Sequence, residues 1–152
     1  MPEVIPCRNT SYPVVLSVSP DIEDHGRLER IFRQADWPVN PYSEPTLLAS
    51  NSIASSLTLL RKNPVPVVLC ESGLSPGSWQ EMLEHISRLP DTPLLIVTSR
   101  LADERLWAEA LNLGAYDVLV KPFDSTEVLR VVSLAWQHWH SRRLSMAHGR
   151  PS

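Results

Sequence analysis

The stretch GAYDVLVKPF, residues 114–123, combines a helix end, a short apolar strand and a loop that opens with lysine and proline. Gly114 follows a segment whose apolar residues recur at helical spacing, which is the usual position of a helix C-cap. DVLV, from Asp117 to Val120, then has the composition of a buried strand. This order of helix, strand and loop is typical of one unit in a parallel α/β sheet.

The same alternation extends through the rest of the chain. Five apolar runs of strand length alternate with five segments whose apolar residues recur every three or four positions. This alternation predicts an α/β fold with a parallel sheet. The predicted strands are Tyr12 to Val18, Trp37 to Tyr42, Val65 to Cys70, Pro93 to Thr98, and Asp117 to Val120.

The second predicted strand, WPVNPY from Trp37 to Tyr42, contains two prolines. Proline lacks the N–H that a sheet ladder needs, so a strand with two prolines fits an edge of the sheet. The flavodoxin-like order 2-1-3-4-5 places strand two at an edge. The sequence therefore predicts a flavodoxin-like (βα)5 three-layer sandwich with a parallel five-stranded sheet in that order.

Capping pairs mark two of the predicted helices. Ser78 and Glu81 stand at capping-box spacing, and Asp124 and Glu127 repeat that spacing at the start of the last helix. The helix before strand three is indicated by apolar residues at spacings of three or four, namely Ala49, Ile53, Leu57 and Leu60. We expect one domain at residues 11–141, between tails at 1–10 and 142–152.

Composition excludes several classes of function. The 152 residues include 43% hydrophobic residues, enough for an ordinary core, and 14 basic and 17 acidic residues give a net charge of -3. No basic footprint for nucleic acid is present. The two cysteines, Cys7 and Cys70, form neither a disulfide framework nor a metal motif. No signal peptide or membrane span is apparent, so we expect a cytoplasmic protein.

Polar residues follow the predicted strands where a functional crevice is expected. In an open parallel sheet, ligands bind beyond the carboxyl ends of the strands. The residues at those ends are Ser19, Pro20, Glu71, Thr98 and Lys121. We therefore take this edge of the sheet as the candidate site.

GAYDVLVKPF, the strand-terminal Thr98-Ser99 and the spacing of all five strands resemble a CheY-like response-regulator receiver domain of two-component signalling. The resemblance covers roughly Ser11 to Trp139. In this family, a phosphoryl group passes from a histidine kinase to an aspartate after strand three. An acidic pair after strand one and the acceptor itself hold Mg²⁺, while a threonine hydroxyl and a lysine ammonium hold the phosphoryl oxygens. The bond before the family's proline is characteristically cis.

The resemblance implies that part of this pocket is kept. Thr98 matches the threonine, Lys121 the lysine, and Pro122 the cis-proline position. The acidic pair falls on Ser19 and Pro20, which carry no carboxylate, so we expect Mg²⁺ binding to be lost or weak and no other cofactor. Ser19 and Pro20 also suit a helix start, as the N-cap and the first helical residue.

Glu71 occupies the position of the phosphate-accepting aspartate, and a register shifted by one residue would place Ser72 there. Glutamate is longer than aspartate by one methylene, so we expect Glu71 to contact Lys121 or Thr98. Two roles for that contact stay open. Glu71 imitates part of a phosphoryl group, or it only neutralises a half-buried lysine. Asp21 is a candidate for partly replacing the lost acidic pair.

Other positions of the family pattern also change. The switch aromatic, three residues before the lysine, falls on Val118, which has no ring, and we expect nearby Tyr116 to be a packing or surface aromatic. His138 and His140 point in different directions on a helix and are not expected to bind a metal. A docking or dimerisation face is predicted on the last helix, with at least one of its tryptophans in the core; its residues are Trp136, Trp139, Arg142 and Arg143.

These features predict a stand-alone, degenerate receiver domain that is not an enzyme and acts by phosphorylation-independent protein contacts. Its partners would be a histidine kinase or a downstream effector, bound through the last two helices, which would also form any homodimer. One alternative is a phosphorylatable receiver with an unconventional acceptor. Another is a flavin- or nucleotide-binding domain, which Asp21, Glu23 and Asp24 disfavour because they would repel phosphate.

Overall fold

Five parallel strands and five helices alternate along residues 14–34 and 45–147, the part of the chain that the computed structural model describes. The strands are β1 (Val14–Val18), β2 (Thr46–Ser50), β3 (Val67–Glu71), β4 (Leu94–Ser99) and β5 (Asp117–Val120). The helices are α1 (Ile22–Gln34), α2 (Ile53–Lys62), α3 (Trp79–Ile86), α4 (Glu104–Leu113) and α5 (Ser125–Ala147). Within those ranges, no helix has the length and apolar composition that crossing a bilayer requires.

The sheet has the order β2-β1-β3-β4-β5, which confirms the predicted flavodoxin-like fold. All neighbouring strands pair in parallel, so their carboxyl ends meet at one edge. In the register between β3 and β4, Glu71 lies opposite Thr98. This pairing fixes two candidate site residues side by side.

The prediction of the second strand was wrong in position but right about the edge of the sheet. β2 is Thr46–Ser50, whereas Trp37 to Tyr42 lies outside the described residues. Ala49, predicted for the helix, pairs with Ser17 in the sheet. The helix begins only at Ile53, after Ser52, whose hydroxyl accepts from the Ser55 N–H at 3.1 Å. An edge strand with partly exposed apolar residues resembles the first turn of an amphipathic helix, which explains the error.

Two apolar layers cover the faces of the sheet. On one face, Leu28 and Phe32 of α1 pack with Val128 and Val132 of α5. The opposite face is covered chiefly by α2, α3 and α4, with side chains that include Leu60, Met82, Ile86 and Ala110. Cys70 is fully buried in that second layer, where burial and then the charge of Glu71 raise the pKa of its thiol to about 12. Cys7 lies outside the described residues.

The end of α5 packs against the loop between α3 and β4. Trp136 and Trp139 are both buried, so neither presents an exposed aromatic side chain to the docking face predicted on this helix. The expectation that at least one of them lies in the core is confirmed for both. Trp139 Nε1 donates to the Asp91 carbonyl oxygen at 3.3 Å, and Arg142 donates to the Thr92 carbonyl oxygen at 2.8 Å. The helix continues to Ala147, past residue 142, where we predicted a tail to begin.

Candidate functional site

The carboxyl ends of β1, β3, β4 and β5 bring the predicted site residues to one edge of the sheet. Ser19 follows β1, Glu71 ends β3, Thr98 is the penultimate residue of β4, and Lys121 follows β5. Backbone hydrogen bonds connect the ends of β3, β4 and β5. The Ser72 N–H donates to the Thr98 carbonyl at 2.8 Å, and the Lys121 N–H donates to the Ser99 carbonyl at 2.9 Å.

Lys121 is the centre of a buried charged cluster. Only 8% of the residue is exposed. Its Nζ donates to Asp24 Oδ2 at 2.7 Å and to Glu71 Oε1. One ammonium group from the end of β5 is therefore shared by carboxylates from α1 and β3, and we call these three residues the charge triad.

Sequence reasoning missed Asp24, which it treated only as a residue that repels phosphate. Asp24 is 8% exposed, and its Oδ2 also accepts from the Ser19 hydroxyl at 2.7 Å. The sequence does contain a signal for this position. Asp24, Leu28 and Phe32 are four residues apart and are the buried residues of α1, so the spacing places the carboxylate on the inward face of the helix.

Glu71, rather than Ser72, contacts the lysine. The second carboxylate oxygen of Glu71 accepts from the Gly73 N–H at 2.9 Å and lies 3.4 Å from the Ser72 hydroxyl. Ser72 Oγ lies 2.9 Å from Ser99 Oγ and so faces β4. Both oxygens of Glu71 are thus engaged by donors of the protein itself.

The charge triad keeps Lys121 protonated. Burial lowers the pKa of the lysine, but its hydrogen bonds to Asp24 and Glu71, together with their charges, raise that pKa above the ordinary value of 10.5. With both carboxylates ionised, one positive and two negative charges leave the triad with a net charge of -1. The ammonium is therefore satisfied without a ligand.

The loop after β1 differs from the expected helix start. Ser19 is not the N-cap, because α1 begins at Ile22 and the Ser19 hydroxyl accepts from the Asp21 N–H at 3.1 Å. Pro20 is exposed and precedes the helix rather than forming its first residue. Asp21 accepts from the Glu23 N–H at 3.0 Å and lies 3.7 Å from Arg100. Asp24, not Asp21, is the carboxylate that reaches the lysine.

The Lys121–Pro122 peptide bond is cis. At the predicted switch position, Val118 is 1% exposed and belongs to the core. Tyr116 lies near the surface, and its hydroxyl is 2.8 Å from His138 Nδ1. His140 stacks on the ring of Trp136.

The residues at this site do not fit Mg²⁺. This ion takes oxygen ligands in near-octahedral geometry. The described residues contain no group of three or more histidine, cysteine, aspartate or glutamate side chains arranged for a metal. The two carboxylates that converge here share the Lys121 ammonium instead.

Comparison with curated proteins identifies response regulators. No protein-family model matches the chain. It is 30% identical over 128 residues to the transcriptional regulatory protein ZraR of Escherichia coli K12, covering 84% of this chain and 27% of ZraR. It is 32% identical over 111 residues to the Regulator of RpoS of the same strain, covering 70% of this chain and 32% of that protein. The chain thus spans less than a third of the length of these relatives.

Solved structures give the same result for the fold. The signal receiver domain of an HD domain-containing protein from Pseudomonas fluorescens Pf-5 is 25% identical, with a TM-score of 0.75 over 92% of this chain and 98% of that chain. The CheY-like receiver domain protein from Methanospirillum hungatei JF-1 is 16% identical, with a TM-score of 0.72 over 87% of this chain and 99% of that chain. The sheet order and these relatives agree, and the chain belongs to the CheY-like response-regulator receiver family.

Proposed function

We propose that this receiver domain acts in two-component signalling by binding protein partners without being phosphorylated. The observation that supports this most strongly is the charge triad, in which the Lys121 ammonium is hydrogen-bonded to both Asp24 and Glu71. In the family, the corresponding lysine is available to a phosphoryl oxygen. Here two carboxylates already use it, so the pocket is satisfied as it stands.

Charge also opposes phosphorylation at this site. A phosphoryl group brings nearly two negative charges at neutral pH. It would enter beside Asp24 and Glu71, which already exceed the positive charge of Lys121. The family's acidic pair is replaced by Ser19 and Pro20, and the two carboxylates that do converge here, Asp24 and Glu71, share the Lys121 ammonium instead of holding a neutralising Mg²⁺. We propose on this basis that the domain needs no metal and is not an enzyme.

Partner contacts are proposed on the outward sides of α4 and α5. With the tryptophans of α5 buried, exposed aliphatic side chains remain the best candidates for these contacts. Leu111 and Leu113 on α4 are 50% and 52% exposed, and Leu134 on α5 is 44% exposed. The partner classes we propose are a histidine kinase, a downstream effector, or a second copy of the chain.

Intact mass after incubation with acetyl phosphate and Mg²⁺ tests the proposal. The wild-type mass is expected to stay unchanged, because the acceptor carboxylate and the lysine already engage each other. A variant with Ser19→Asp, Pro20→Asp and Glu71→Asp restores the family's three carboxylates and is treated in parallel. A gain of one phosphoryl group by the wild-type protein would contradict the proposal and favour an unconventional acceptor.

Capture of partners from the native host separates the two roles of Glu71. If Glu71 imitates part of a phosphoryl group, Glu71→Gln reduces the amount of each captured partner. If Glu71 only neutralises Lys121, the variant and the wild type capture the same proteins in the same amounts. Glu71→Asp, which keeps the charge and shortens the side chain, shows whether charge or reach matters.

A further inference from the structure

A groove of about 280 Å³ opens at the amino ends of the strands, at the end of the sheet opposite to the charge triad. Its walls come from the segments that lead into β3 and β4 and from the last helix. Pro64 and Val65 precede β3, and Pro93 precedes β4. Trp139 of α5 forms a further wall. The groove is therefore remote from the receiver pocket.

The interior of the groove is apolar. Trp139 is 3% exposed and Val65 is 4% exposed, while Leu60 and Leu89 belong to or pack against the same core layer as Val65. The volume of about 280 Å³ lies just below the range of about 300–1,000 Å³ that encloses a drug-sized ligand. The groove therefore has room for one bulky apolar side chain rather than for a whole helix face.

The loops around the groove offer few free backbone hydrogen bonds. The Asp91 carbonyl oxygen already accepts from Trp139 at 3.3 Å. The Thr92 carbonyl oxygen accepts from Arg142 at 2.8 Å. Three residues that line the groove are prolines, which have no N–H to donate, namely Pro64, Pro90 and Pro93. Recognition in this groove must therefore come from apolar contact and from side-chain charges.

The rim of the groove is positively charged. Arg61 and Lys62 are exposed, and neither makes an ion pair or a hydrogen bond with a residue that the structure describes. Arg142 is also exposed and has no carboxylate partner in that part of the chain. Arg143 lies 3.6 Å from the Asp91 carboxylate. Four cations and one carboxylate give this rim a charge of +3, although the whole chain carries -3.

Contacts from the last helix hold the groove in shape. Asp91 has φ of 53°, a left-handed conformation that a residue keeps only when its surroundings fix it. Trp139 bonds to the Asp91 carbonyl oxygen, and the Arg143 guanidinium lies 4.8 Å from the centre of the Trp139 ring. A loop that is already fixed does not have to be ordered when a ligand binds, which favours affinity.

We infer that this groove binds an acidic, extended segment of a partner protein. One bulky apolar side chain of the segment enters beside Trp139, and carboxylates on either side of it pair with Arg61 and Lys62 at the rim. Nucleic acid relies on many phosphate contacts, whereas only three cations here lack a carboxylate partner. The inference goes beyond the proposed function, because it adds a contact surface that contains no residue of the charge triad.

NMR titration of the full chain tests the inference. The probe is a peptide of about ten residues, with one phenylalanine between glutamates. We expect it to shift the indole N–H signal of Trp139 and to bind Arg61→Glu/Lys62→Glu at least about tenfold more weakly. Arg27→Glu/Arg30→Glu is the matched control, because it reverses two exposed cations on α1, and it should leave the affinity unchanged.

Two altered peptides separate charge from apolar contact. Replacing the phenylalanine with serine, or the glutamates with lysines, should each weaken binding at least about tenfold. Urea midpoints show whether Arg61→Glu/Lys62→Glu unfolds the protein, since cations stabilise the last turn of α2. If it does, Arg61→Gln/Lys62→Gln takes its place and should also weaken binding.

Several results would overturn the inference. They are no binding of the glutamate peptide, signal shifts that miss Trp139, and equal weakening by Arg27→Glu/Arg30→Glu. Tighter binding of a thymidine oligonucleotide or of phosphatidylglycerol vesicles would assign the rim to nucleic acid or to a membrane. A dimer in sedimentation experiments that Arg61→Glu/Lys62→Glu dissociates would assign the groove to a second copy. A phosphorylated wild-type protein rejects the proposed function, whereas lost peptide binding with an unchanged mass rejects only the groove.

Discussion

Lys121 carries the only positive charge in a buried cluster with two carboxylates, so its three members are not equivalent. A buried charge without a partner is costly, whereas a buried pair is tolerated when its hydrogen bonds are made. Removing Glu71 leaves Asp24 paired with the lysine at 2.7 Å. Removing the lysine leaves two neighbouring carboxylates with no cation between them.

Urea unfolding should therefore rank the variants of the charge triad. We expect Lys121→Met to lower the free energy of unfolding by about 3–5 kcal/mol, because it leaves buried charges unpaired. Glu71→Gln and Asp24→Asn should each cost about 1–2 kcal/mol, since each leaves one ion pair intact. Lys62, the other lysine of the chain, is exposed and serves as the control. Lys62→Met should therefore change the free energy of unfolding by less than about 0.5 kcal/mol. If Glu71→Gln lowered the free energy of unfolding as much as Lys121→Met does, that result would contradict an ammonium shared by two carboxylates.

Asp24 and Glu71 differ in how far the sequence could predict them. The position of Glu71 follows from the strand VPVVLCE and the family pattern, and its contact with Lys121 was one of two expected. Asp24 does not occupy a family position. Its carboxylate reaches the lysine only because α1 begins at Ile22, which turns Asp24 inward with Leu28. The sequence predicted the presence of α1 correctly but placed its first residue at Pro20 instead of Ile22.

At the scale of elements, two capping signals predicted helix starts correctly, whereas the one at Ser19 and Pro20 did not. Ser78 accepts from the Glu81 N–H at 3.2 Å, and Asp124 accepts from the Glu127 N–H at 2.9 Å, as their spacing predicted. The edge strand β2 has no such signal, and its partly exposed apolar residues resemble a helix face. Edge strands depend on pairing with the neighbouring strand, which sequence spacing does not report.

Gly114 and Gly26 give opposite predictions for the same substitution. Gly114 caps α4 with φ of 108°, a left-handed conformation that costs a residue with a Cβ about 1–2 kcal/mol. Gly26 lies inside α1, with nothing within 4 Å of an added Cβ. Gly114→Ala should therefore lower the free energy of unfolding by about 1 kcal/mol, and Gly26→Ala should raise it by a similar amount. Urea denaturation measures both, and a stabilising Gly114→Ala would contradict the cap.

At the scale of the whole molecule, the parallel sheet brings α1, β3, β4 and β5 to one edge, where the family's site lies. The fold thus keeps the site's position, and we propose that its residues change the chemistry. Asp24 and Glu71 surround an ammonium at the place where the family positions Mg²⁺ and a phosphoryl group. The sequence predicted the fold, but not that Asp24 would place a second carboxylate on the lysine.

Thermal unfolding with and without Mg²⁺ checks this account of the site. A ligand that binds only the folded state stabilises it by about 2.7 kcal/mol at a hundred times its Kd. Because the described residues include no group of three metal ligands, Mg²⁺ at about 10 mM should leave Tm unchanged relative to EDTA. The variant with Ser19→Asp, Pro20→Asp and Glu71→Asp is the comparison. A rise in the wild-type Tm that increases with Mg²⁺ and is reversed by EDTA would contradict the account.

The most direct test is the pKa of Lys121, measured by NMR with labelled lysine side chains. The chain has only two lysines, so Lys62→Arg leaves a single signal to follow. Because Asp24 and Glu71 stabilise the ammonium, its midpoint should lie above 10.5 in the folded protein and fall in the Asp24→Asn/Glu71→Gln variant. A midpoint at or below 10.5 that both substitutions leave unchanged would contradict the shared ammonium, and with it the proposal of signalling without phosphorylation.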